Sequence, residues 1–461
     1  MDLKGGRLEF LVPHLLRGQM LRRGFVRLSL RMGVTQQMPP WAKLQFLHAG
    51  VSREDLDGVL RRIRNLATWV DEWESLGRMH EQAGQDAQAL GQTAVAAARY
   101  KAASAAYNFA QYVVFMNVDR KHRLHEACVR AYAKAAPLFD IPAQPFEVMY
   151  RRRPMRGYLR VPPGPRPCPV VVMFNGTNAV KEELHWWSEE MLDRGVATVM
   201  FDGPGMGQTF HRLSMVAEPR PVGTAIINEI ETRPELDPGA VVFFGMSLGG
   251  YMAIRMATHD PRIRAVAAVS PPYSASIYWR VTLAGMRREL AALYGIDEKD
   301  MTEVVDRITL DGVLGDLRCP LMVAGGGHDF ITPGTEAWRI FEGARCEREL
   351  VYYPRGAHDC FNVLSDLRPR MVHWLVGHLE RHRTRPSNGV ATLSAPAREP
   401  AWPAAEAVDS DFADALRGDV SRIQWHAPLQ QALPARWQLP WQRNGHSPIE
   451  VVLRKAGRPA V

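Results

Sequence analysis

The sequence predicts an α/β fold in which a mainly parallel sheet is covered by helices on both faces. Short, almost wholly apolar segments recur from about residue 146 to residue 353, and helical-looking stretches separate most of them. Strands that are apolar along their whole length are typical of parallel sheets buried on both faces. From about residue 53 to 139, apolar side chains instead recur three and four positions apart. This spacing predicts helices, so we expect a helical domain ahead of the sheet.

The length of the chain and shifts in its composition divide it into four predicted regions. The chain has 461 residues, more than one ordinary domain contains. We predict a basic N-terminal arm over residues 1–52, a helical domain over 53–145 and an α/β domain over 146–383. The remaining region, 384–461, begins in a stretch rich in Pro, Ala and Ser. Such a composition buries little apolar surface, so this region is predicted to be a disordered linker and tail.

The composition is ordinary for a soluble globular protein, and the cysteines predict a location in the cytoplasm. Hydrophobic residues make up 46% of the chain and charged residues 23%. The net charge of +8 is spread along the sequence, and no recognition motif accompanies it, so nucleic-acid binding is not expected. Five cysteines without a Cys-x-x-Cys pair fit a reducing compartment and predict no metal site.

The apolar stretch over residues 10–32 is interrupted by five arginines. It is therefore predicted to be neither a signal peptide nor a membrane span. Two interpretations stay open for it. It could lie weakly on a membrane surface as a basic amphipathic helix, or it could pack on its own protein or on the second subunit of a homodimer.

Eight segments are predicted to be strands, and the first two are expected to pair antiparallel at one edge of the sheet. The segments are Phe146–Arg153, Arg156–Val161, Pro169–Phe174, Ala197–Phe201, Val241–Phe244, Ala265–Val269, Leu321–Ala324 and Glu349–Tyr353. The connection over residues 271–317 is too long for a simple loop. We predict that it forms a lid over the carboxyl edge of the sheet.

The motif Gly245-Met246-Ser247-Leu248-Gly249 lies between a predicted strand and a predicted helix. A serine nucleophile at a sharp strand-to-helix turn needs small neighbours on both sides, which the two glycines supply. The pattern occurs by chance in many chains, and its position between strand and helix makes it informative. It predicts the α/β-hydrolase fold with Ser247 as nucleophile.

A serine hydroxyl reacts only when a base takes its proton and a carboxylate orients that base. In this fold the partners follow in the order Ser, Asp or Glu, then His. Asp329 follows the predicted strand that ends at Ala324, and His358 follows the one that ends at Tyr353. We therefore predict a triad of Ser247, Asp329 and His358. The alternatives are that Asp329 caps a helix, that His358 is a surface histidine, and that His328 is the base.

The oxyanion of the reaction needs two hydrogen-bond donors. We predict the backbone N–H of Leu248 as one donor and that of Thr177, which follows the third predicted strand, as the other. Asn178 is predicted to bind substrate with its side-chain amide, or alternatively to stabilise its own loop. The glycine-rich stretch Asp202–Gly207 is predicted to be a structural turn, since it lacks the Lys-Ser/Thr of a phosphate loop.

From about Trp69 to Leu379 the chain resembles the α/β-hydrolases with an N-terminal helical domain, which include dihydroxypseudooxynicotine hydrolase and fermentation–respiration switch esterases. The motifs that carry this resemblance lie in the family's order and comprise Gly157–Pro162, Asn175-Gly176 followed by Lys181–Glu183, Asp193–Ala197, Phe201–Gly207 and the serine motif. The resemblance implies that the helical domain closes the pocket and that no metal or organic cofactor is needed. It also implies the same triad. One departure is Asn178, where the dihydroxypseudooxynicotine enzyme is expected to carry an acidic residue.

These observations predict a serine hydrolase that acts on an ester, lactone, thioester or activated carbon–carbon bond of a mid-sized organic substrate. An acyltransferase or cyclase with the same triad is the alternative. A non-catalytic binding protein is disfavoured by the intact triad.

Overall fold

The computed structural model describes residues 40–383, except 115–116, 211, 330 and most of 277–295, together with residues 451–455. Nine strands in these residues form one sheet in the order β1-β2-β4-β3-β5-β6-β7-β8-β9. The strands are β1 (Ala143–Tyr150), β2 (Arg153–Arg160), β3 (Cys168–Phe174), β4 (Ala197–Phe201), β5 (Leu236–Met246), β6 (Ile263–Val269), β7 (Leu321–Gly326), β8 (Arg348–Tyr353) and β9 (Val451–Lys455).

The sheet is parallel from β4 through β3, β5, β6 and β7 to β8, and antiparallel at both edges. Each of the eight predicted strand segments overlaps one of β1–β8. The predicted mainly parallel sheet of an α/β-hydrolase is therefore confirmed.

Helices cover both faces of the sheet because the central strands are apolar on both sides. In β3, Val170 and Val172 pack into one buried cluster, whereas Val171 and Met173 pack into the other. The helices of the α/β domain are α6 (His185–Leu192), α7 (Arg220–Glu231), α8 (Leu248–Ala257), α9 (Glu298–Asp306), α10 (Gly334–Gly343) and α11 (Leu364–Arg383). Helices α7, α8 and α10 belong to the first cluster, while α6 and α11 belong to the second.

Five helices precede the sheet: α1 (Pro40–His48), α2 (Arg53–Arg62), α3 (Leu66–Ala89), α4 (Thr93–Gln111) and α5 (Val118–Ala135). The periodicity predicts helices where α2–α5 lie, whereas α1 falls within the predicted basic arm. Their own core is aromatic. Trp73 is fully buried and contacts Phe46 of α1 and Phe109 of α4 at ring-centroid distances of 5.2 and 5.4 Å. Buried aromatic pairs of this kind stabilise a helical core beyond the area that they bury. Helix α1 also packs against the segment His358–Val363, so it reaches the carboxyl edge of the sheet.

Part of the C-terminal region differs from the prediction. Residues 384–461 were expected to form a disordered linker and tail, yet Val451–Lys455 form β9, which pairs antiparallel with β8. The prediction is wrong for these five residues. Their apolar and β-branched composition favours a strand, and the edge of β8 provides unpaired backbone groups for it.

Two other predicted regions lie partly outside the described residues. The basic arm is described only from residue 40 onward, so its apolar stretch over residues 10–32 lies outside. Most of the first half of the predicted lid also lies outside. Its second half contains α9, and Ser274 pairs with Thr309 across its two ends. Across the residues that the structure describes, no helix combines the length and apolar character of a membrane span.

Candidate active site

Four polar side chains follow four neighbouring parallel strands. Ser247 follows β5, Ser270 follows β6, Asp329 follows β7 and His358 follows β8. The carboxyl ends of parallel strands meet at one edge of a sheet, which is where open α/β sheets place their ligand sites. The topology therefore gathers these residues at one edge, although they are up to 111 positions apart in sequence (358 minus 247).

Ser247 occupies a strained turn between β5 and α8. Its backbone has φ 50° and ψ −123°, a conformation that residues other than glycine rarely adopt. The flanking residues must be glycines because a side chain at either position would clash with the backbone. A Cβ on Gly245 would lie 2.2 Å from the carbonyl oxygen of Gly249. A Cβ on Gly249 would lie 2.5 Å from the carbonyl oxygens of Phe174 and Asn175. The turn thus has the geometry of a nucleophile elbow.

Asp329 and His358 are in direct contact. Nδ1 of His358 lies 2.9 Å from Oδ2 and 3.0 Å from Oδ1 of Asp329. The carboxylate is buried, and its Oδ1 also accepts the backbone N–H groups of Ile331 and Thr332. These bonds fix the position of the carboxylate, and its contact with Nδ1 fixes the orientation of the imidazole. Asp329 thus makes turn-capping bonds and orients His358 as well.

His328 stands apart from this contact. Its backbone N–H donates to the carbonyl of Gly356, and the residue is exposed. The structure therefore brings His358, and not His328, onto the carboxylate of Asp329.

The two segments that carry the predicted oxyanion donors both border Ser247. Helix α8 begins at Leu248, and the first N–H groups of a helix have no acceptor within it. On the other side, a Cβ added to Gly176 would lie 3.3 Å from Cβ of Ser247, so the loop after β3 passes directly beside Ser247. Thr177 is the next residue in this loop and is exposed.

The side chain of Asn178 has partners in the helical domain. Its Nδ2 donates to the carbonyl oxygen of Tyr112 at 3.1 Å, and its Oδ1 accepts from Nζ of Lys121 at 2.9 Å. Gln111 also donates to the backbone carbonyl of Asn178. The contacts of this side chain therefore match the loop-stabilising alternative for Asn178. A substrate contact stays a prediction.

The turn Asp202–Gly207 is held by its own carboxylate. Buried Asp202 accepts from the backbone N–H and Nζ of Lys181 and from the backbone N–H of Gln208. The two carboxylates of Asp202 and Glu182 raise the pKa of Lys181, so the lysine stays charged despite its burial. This arrangement supports the structural interpretation of the glycine-rich stretch.

A second polar junction joins the helical domain to the segment after β3. The carboxylate of Glu183 accepts from the hydroxyl of Tyr112, from the amide of Asn108 and from Nε2 of Gln45. Burial raises the pKa of Glu183, while these three hydrogen bonds oppose the rise. The helical domain thus contributes polar side chains immediately beside the loop that borders Ser247.

Asp359 is a site residue that the sequence reasoning missed. Its carboxyl is buried, and its Oδ2 lies 3.5 Å from Nε2 of His358. Its backbone N–H donates to Oγ of Ser270 at 3.1 Å. Burial, together with the charges of Asp329 and Glu183, raises the pKa of Asp359 to about 7, although the charge of His358 opposes the rise. The only signal in the sequence is its position next to His358. In an ordinary backbone conformation the side chains of two consecutive residues point in different directions. At Asp359 the backbone is left-handed, with φ of 53°, and the carboxyl lies near the ring of His358.

Comparisons with known proteins identify the class of protein to which the chain is similar. A model of the FrsA-like esterases matches residues 46–309. The 2,6-dihydropseudooxynicotine hydrolase of Paenarthrobacter nicotinovorans is 30% identical over 355 residues, which cover 75% of this chain and 94% of that protein. The 20-hydroxy-prefusarin hydrolase of Gibberella moniliformis is 26% identical, over 60% of this chain and 77% of its own length.

Solved structures show the same likeness. The crystal structure of 2,6-dihydroxy-pseudo-oxynicotine hydrolase has a TM-score of 0.68 and 29% identity, covering 73% of this chain and 95% of the other. AbyA5 shares the fold at a TM-score of 0.57 and 21% identity, with 74% and 99% covered. Because the family model spans more than half of the chain and a hydrolase relative aligns over three quarters of it, this chain belongs to the FrsA-like esterase family of α/β-hydrolases and is a hydrolase.

Proposed function

We propose that this protein is a serine hydrolase with Ser247 as nucleophile, His358 as general base and Asp329 as the group that orients His358. The observation that carries the proposal is the contact of Asp329 with Nδ1 of His358. It lies at the sheet edge where β5 ends in the strained Ser247 turn. The substrate is an ester, lactone, thioester or activated carbon–carbon bond of a mid-sized organic molecule.

The chemistry proceeds in two steps. In the first, Oγ of Ser247 attacks the substrate carbonyl while its proton moves to Nε2 of His358, and the negative oxygen is held by the N–H groups of Leu248 and Thr177. The leaving group departs with a proton, and an acyl group stays on Ser247. In the second, water attacks the acyl carbon, His358 takes its proton, and Oγ recovers a proton as the acid is released.

An acyltransferase or cyclase would use the same residues with an alcohol, amine or internal nucleophile in place of water. A reaction run in ¹⁸O-labelled water distinguishes them. A hydrolase places the label in the carboxylic acid product, whereas a transferase or cyclase gives an unlabelled acyl product.

A fluorophosphonate probe tests the nucleophile directly, because it reacts with an activated serine whatever the natural substrate is. We expect stoichiometric labelling of the wild-type protein at Ser247 and none in Ser247→Ala. Turnover of a nitrophenyl ester should fall by roughly three orders of magnitude or more in the same variant. If purified, folded Ser247→Ala keeps more than roughly a tenth of wild-type activity, the assignment is wrong.

The five cysteines support a proposed location in the cytoplasm. All five are free thiols in the structure, as a reducing compartment maintains them.

A further inference from the structure

His358 lies between two carboxyl groups. Asp329 contacts Nδ1 at 2.9 Å, and Oδ2 of Asp359 lies 3.5 Å from Nε2. In a serine triad one carboxylate on the Nδ1 side is sufficient to orient the base. The second carboxyl, that of Asp359, lies near Nε2, the nitrogen that exchanges protons with Ser247 in the proposed mechanism.

The tautomer of His358 makes this second contact informative. Since Asp329 accepts from Nδ1–H, a neutral imidazole presents a lone pair at Nε2. A carboxylate beside that lone pair would be repelled. A proton on Asp359 or on Nε2 of His358 makes this contact attractive instead.

The backbone is strained in a way that holds Asp359 in this place. Asp359 and Cys360 have φ of 53° and 54°, and Ser270, whose hydroxyl accepts the Asp359 N–H, has φ of 46°. Three left-handed residues that are not glycine persist only where the surrounding structure holds them, and such strain is concentrated at active sites.

One oxygen of Asp359 is left for another partner. Within the described residues, Oδ1 of Asp359 is buried and has no hydrogen-bond partner. An unsatisfied buried acceptor is costly, and the cost is removed by a proton or by a bound group that donates to it.

We propose that Asp359 is a second acid–base residue of the active site, which shares a proton with Nε2 of His358 and delivers it to the leaving group. This inference rests on the proposed function of Ser247 and His358. It assigns to Asp359 a role that a simple triad leaves to the histidine alone.

The protons balance through both steps. The resting pair of His358 and Asp359 holds one proton and gains a second from Oγ of Ser247 as the Oγ–C bond forms. The bond from the acyl carbon to the leaving group then breaks, and the leaving atom takes one proton from the pair. In the second step water adds its oxygen to the acyl carbon and gives one proton to the pair. Ser247 regains its proton as the Oγ–C bond breaks, and the pair again holds one.

The electrostatic surroundings support a proton on Asp359 near neutral pH. The groups that face it are His358 and Cys360 on its own segment, Asp329 after β7, Glu183 after β3, Tyr112 of the helical domain and the Ser247 backbone after β5, with Ser270 on its N–H. Burial and two neighbouring carboxylates raise the pKa of Asp359 to about 7, and the His358 charge and the Ser247 backbone lower it.

A second proton donor matters only for leaving groups that are strong bases. Nitrophenolate departs without a proton, whereas an alkoxide or a carbanion must be protonated as it leaves. The arrangement thus favours alkyl esters, lactones and carbon–carbon bonds beside a carbonyl over activated aryl esters. This narrows the proposed substrate class.

The test compares two esters of the same acid, p-nitrophenyl butyrate and ethyl butyrate, in wild type and Asp359→Asn. Asparagine is isosteric and tolerates the left-handed backbone of residue 359. We expect the loss of kcat/KM to be at least about tenfold larger for the ethyl ester. An equal loss on both esters, or no loss, would overturn the proposal. So would a wild-type enzyme that turns over only the nitrophenyl ester.

The matched control is Asp260→Asn. Asp260 is also a buried carboxyl, but it pairs with Arg262 after the C-terminal end of α8, away from the carboxyl edge of the sheet. This variant should leave the ratio of the two rates unchanged. A change as large as that of Asp359→Asn would contradict a specific role for Asp359.

A measurement on the wild type alone keeps the proposal testable if Asp359→Asn folds poorly. The ratio of ethyl to nitrophenyl turnover should fall as the pH rises through about 7, because the donating form of Asp359 is lost there. A ratio that is flat across that range would contradict the proposal. Fluorophosphonate labelling of Ser247 is read in parallel. Its absence in the wild type would reject the proposed function, whereas its presence with a flat ratio would reject only the role of Asp359.

Discussion

Nζ of Lys121 lies 2.9 Å from Oδ1 of Asn178, so a buried lysine of the helical domain contacts the loop that borders Ser247. The amide of Asn178 donates in turn to the carbonyl of Tyr112. A residue that sequence reasoning expected to face the substrate is thus bonded on both sides to the helical domain. Because of these bonds, a substitution at Asn178 can distinguish its two predicted roles, substrate binding and stabilisation of the loop.

Asn178→Asp should lower the catalytic rate by less than about tenfold. The aspartate keeps an acceptor for Lys121 but places a second carboxylate oxygen against the Tyr112 carbonyl, so the loop loses one bond. Loss of an oxyanion donor would instead cost about a hundred- to a thousandfold in rate. Steady-state kinetics on a nitrophenyl ester, with thermal unfolding as the check of folding, decides between them. A hundredfold loss in a stable variant would assign the amide to the oxyanion.

The burial of Lys121 predicts a pH dependence of stability. Burial lowers the pKa of Lys121 to about 7, whereas an unfolded lysine has a pKa near 10.4. Between these values the unfolded state binds more protons, so the wild type gains stability as the pH rises from 7 to 10. Lys121→Met lacks this dependence. Urea unfolding at several pH values should show the difference between wild type and variant moving in favour of the wild type as pH rises. A constant difference would show that the lysine is charged in the folded state.

Gly176→Ala should impair turnover and leave folding intact. The added methyl would stand 3.3 Å from Cβ and 3.8 Å from Oγ of Ser247, so it crowds the proposed nucleophile without a severe clash. We expect kcat/KM to fall by about ten- to a hundredfold. Gly377→Ala in α11 is the control, because its Cβ meets nothing within 4 Å. It should keep full activity and gain roughly 1 kcal/mol from helix propensity. Unchanged kinetics in Gly176→Ala would show that Gly176 does not border the substrate site.

Deletion of residues 384–461 should lower the midpoint of thermal unfolding by several degrees and promote aggregation. The deletion removes β9 and exposes the backbone edge of β8, against which β9 pairs. Exposed strand edges recruit other chains. A shorter deletion of residues 456–461 keeps β9 and serves as the control. Calorimetry and light scattering on both truncations provide the measurement. If the longer deletion behaves like the shorter one, β9 contributes nothing to stability.

The sequence was most informative where local pattern and chemistry coincide. The glycines around Ser247 and the strand ends before Asp329 and His358 indicate their positions because a nucleophile turn and a parallel sheet impose strict spacing. The fold follows from the same apolar segments.

In contrast, Asp359 could not be predicted from spacing, because the direction of its side chain depends on a left-handed backbone that only the packed structure enforces. The partners of Asn178 come from Lys121 and Tyr112, 57 and 66 positions away, and no local pattern records such contacts. Strand β9 was missed because a five-residue strand is recognised mainly by the edge that it joins.

The junctions at Glu183 and Asn178 have a consequence for protein engineering. Both residues belong to the loop segment after β3, and both take hydrogen bonds from side chains of the helical domain. We therefore expect that the helical domain and residues 175–184 can be exchanged only together. A chimera that receives a relative's helical domain but keeps this segment would bury a carboxylate and an amide without their donors. Grafting the two pieces together would keep those bonds, so a change of substrate preference would come from the new helices and not from a damaged loop.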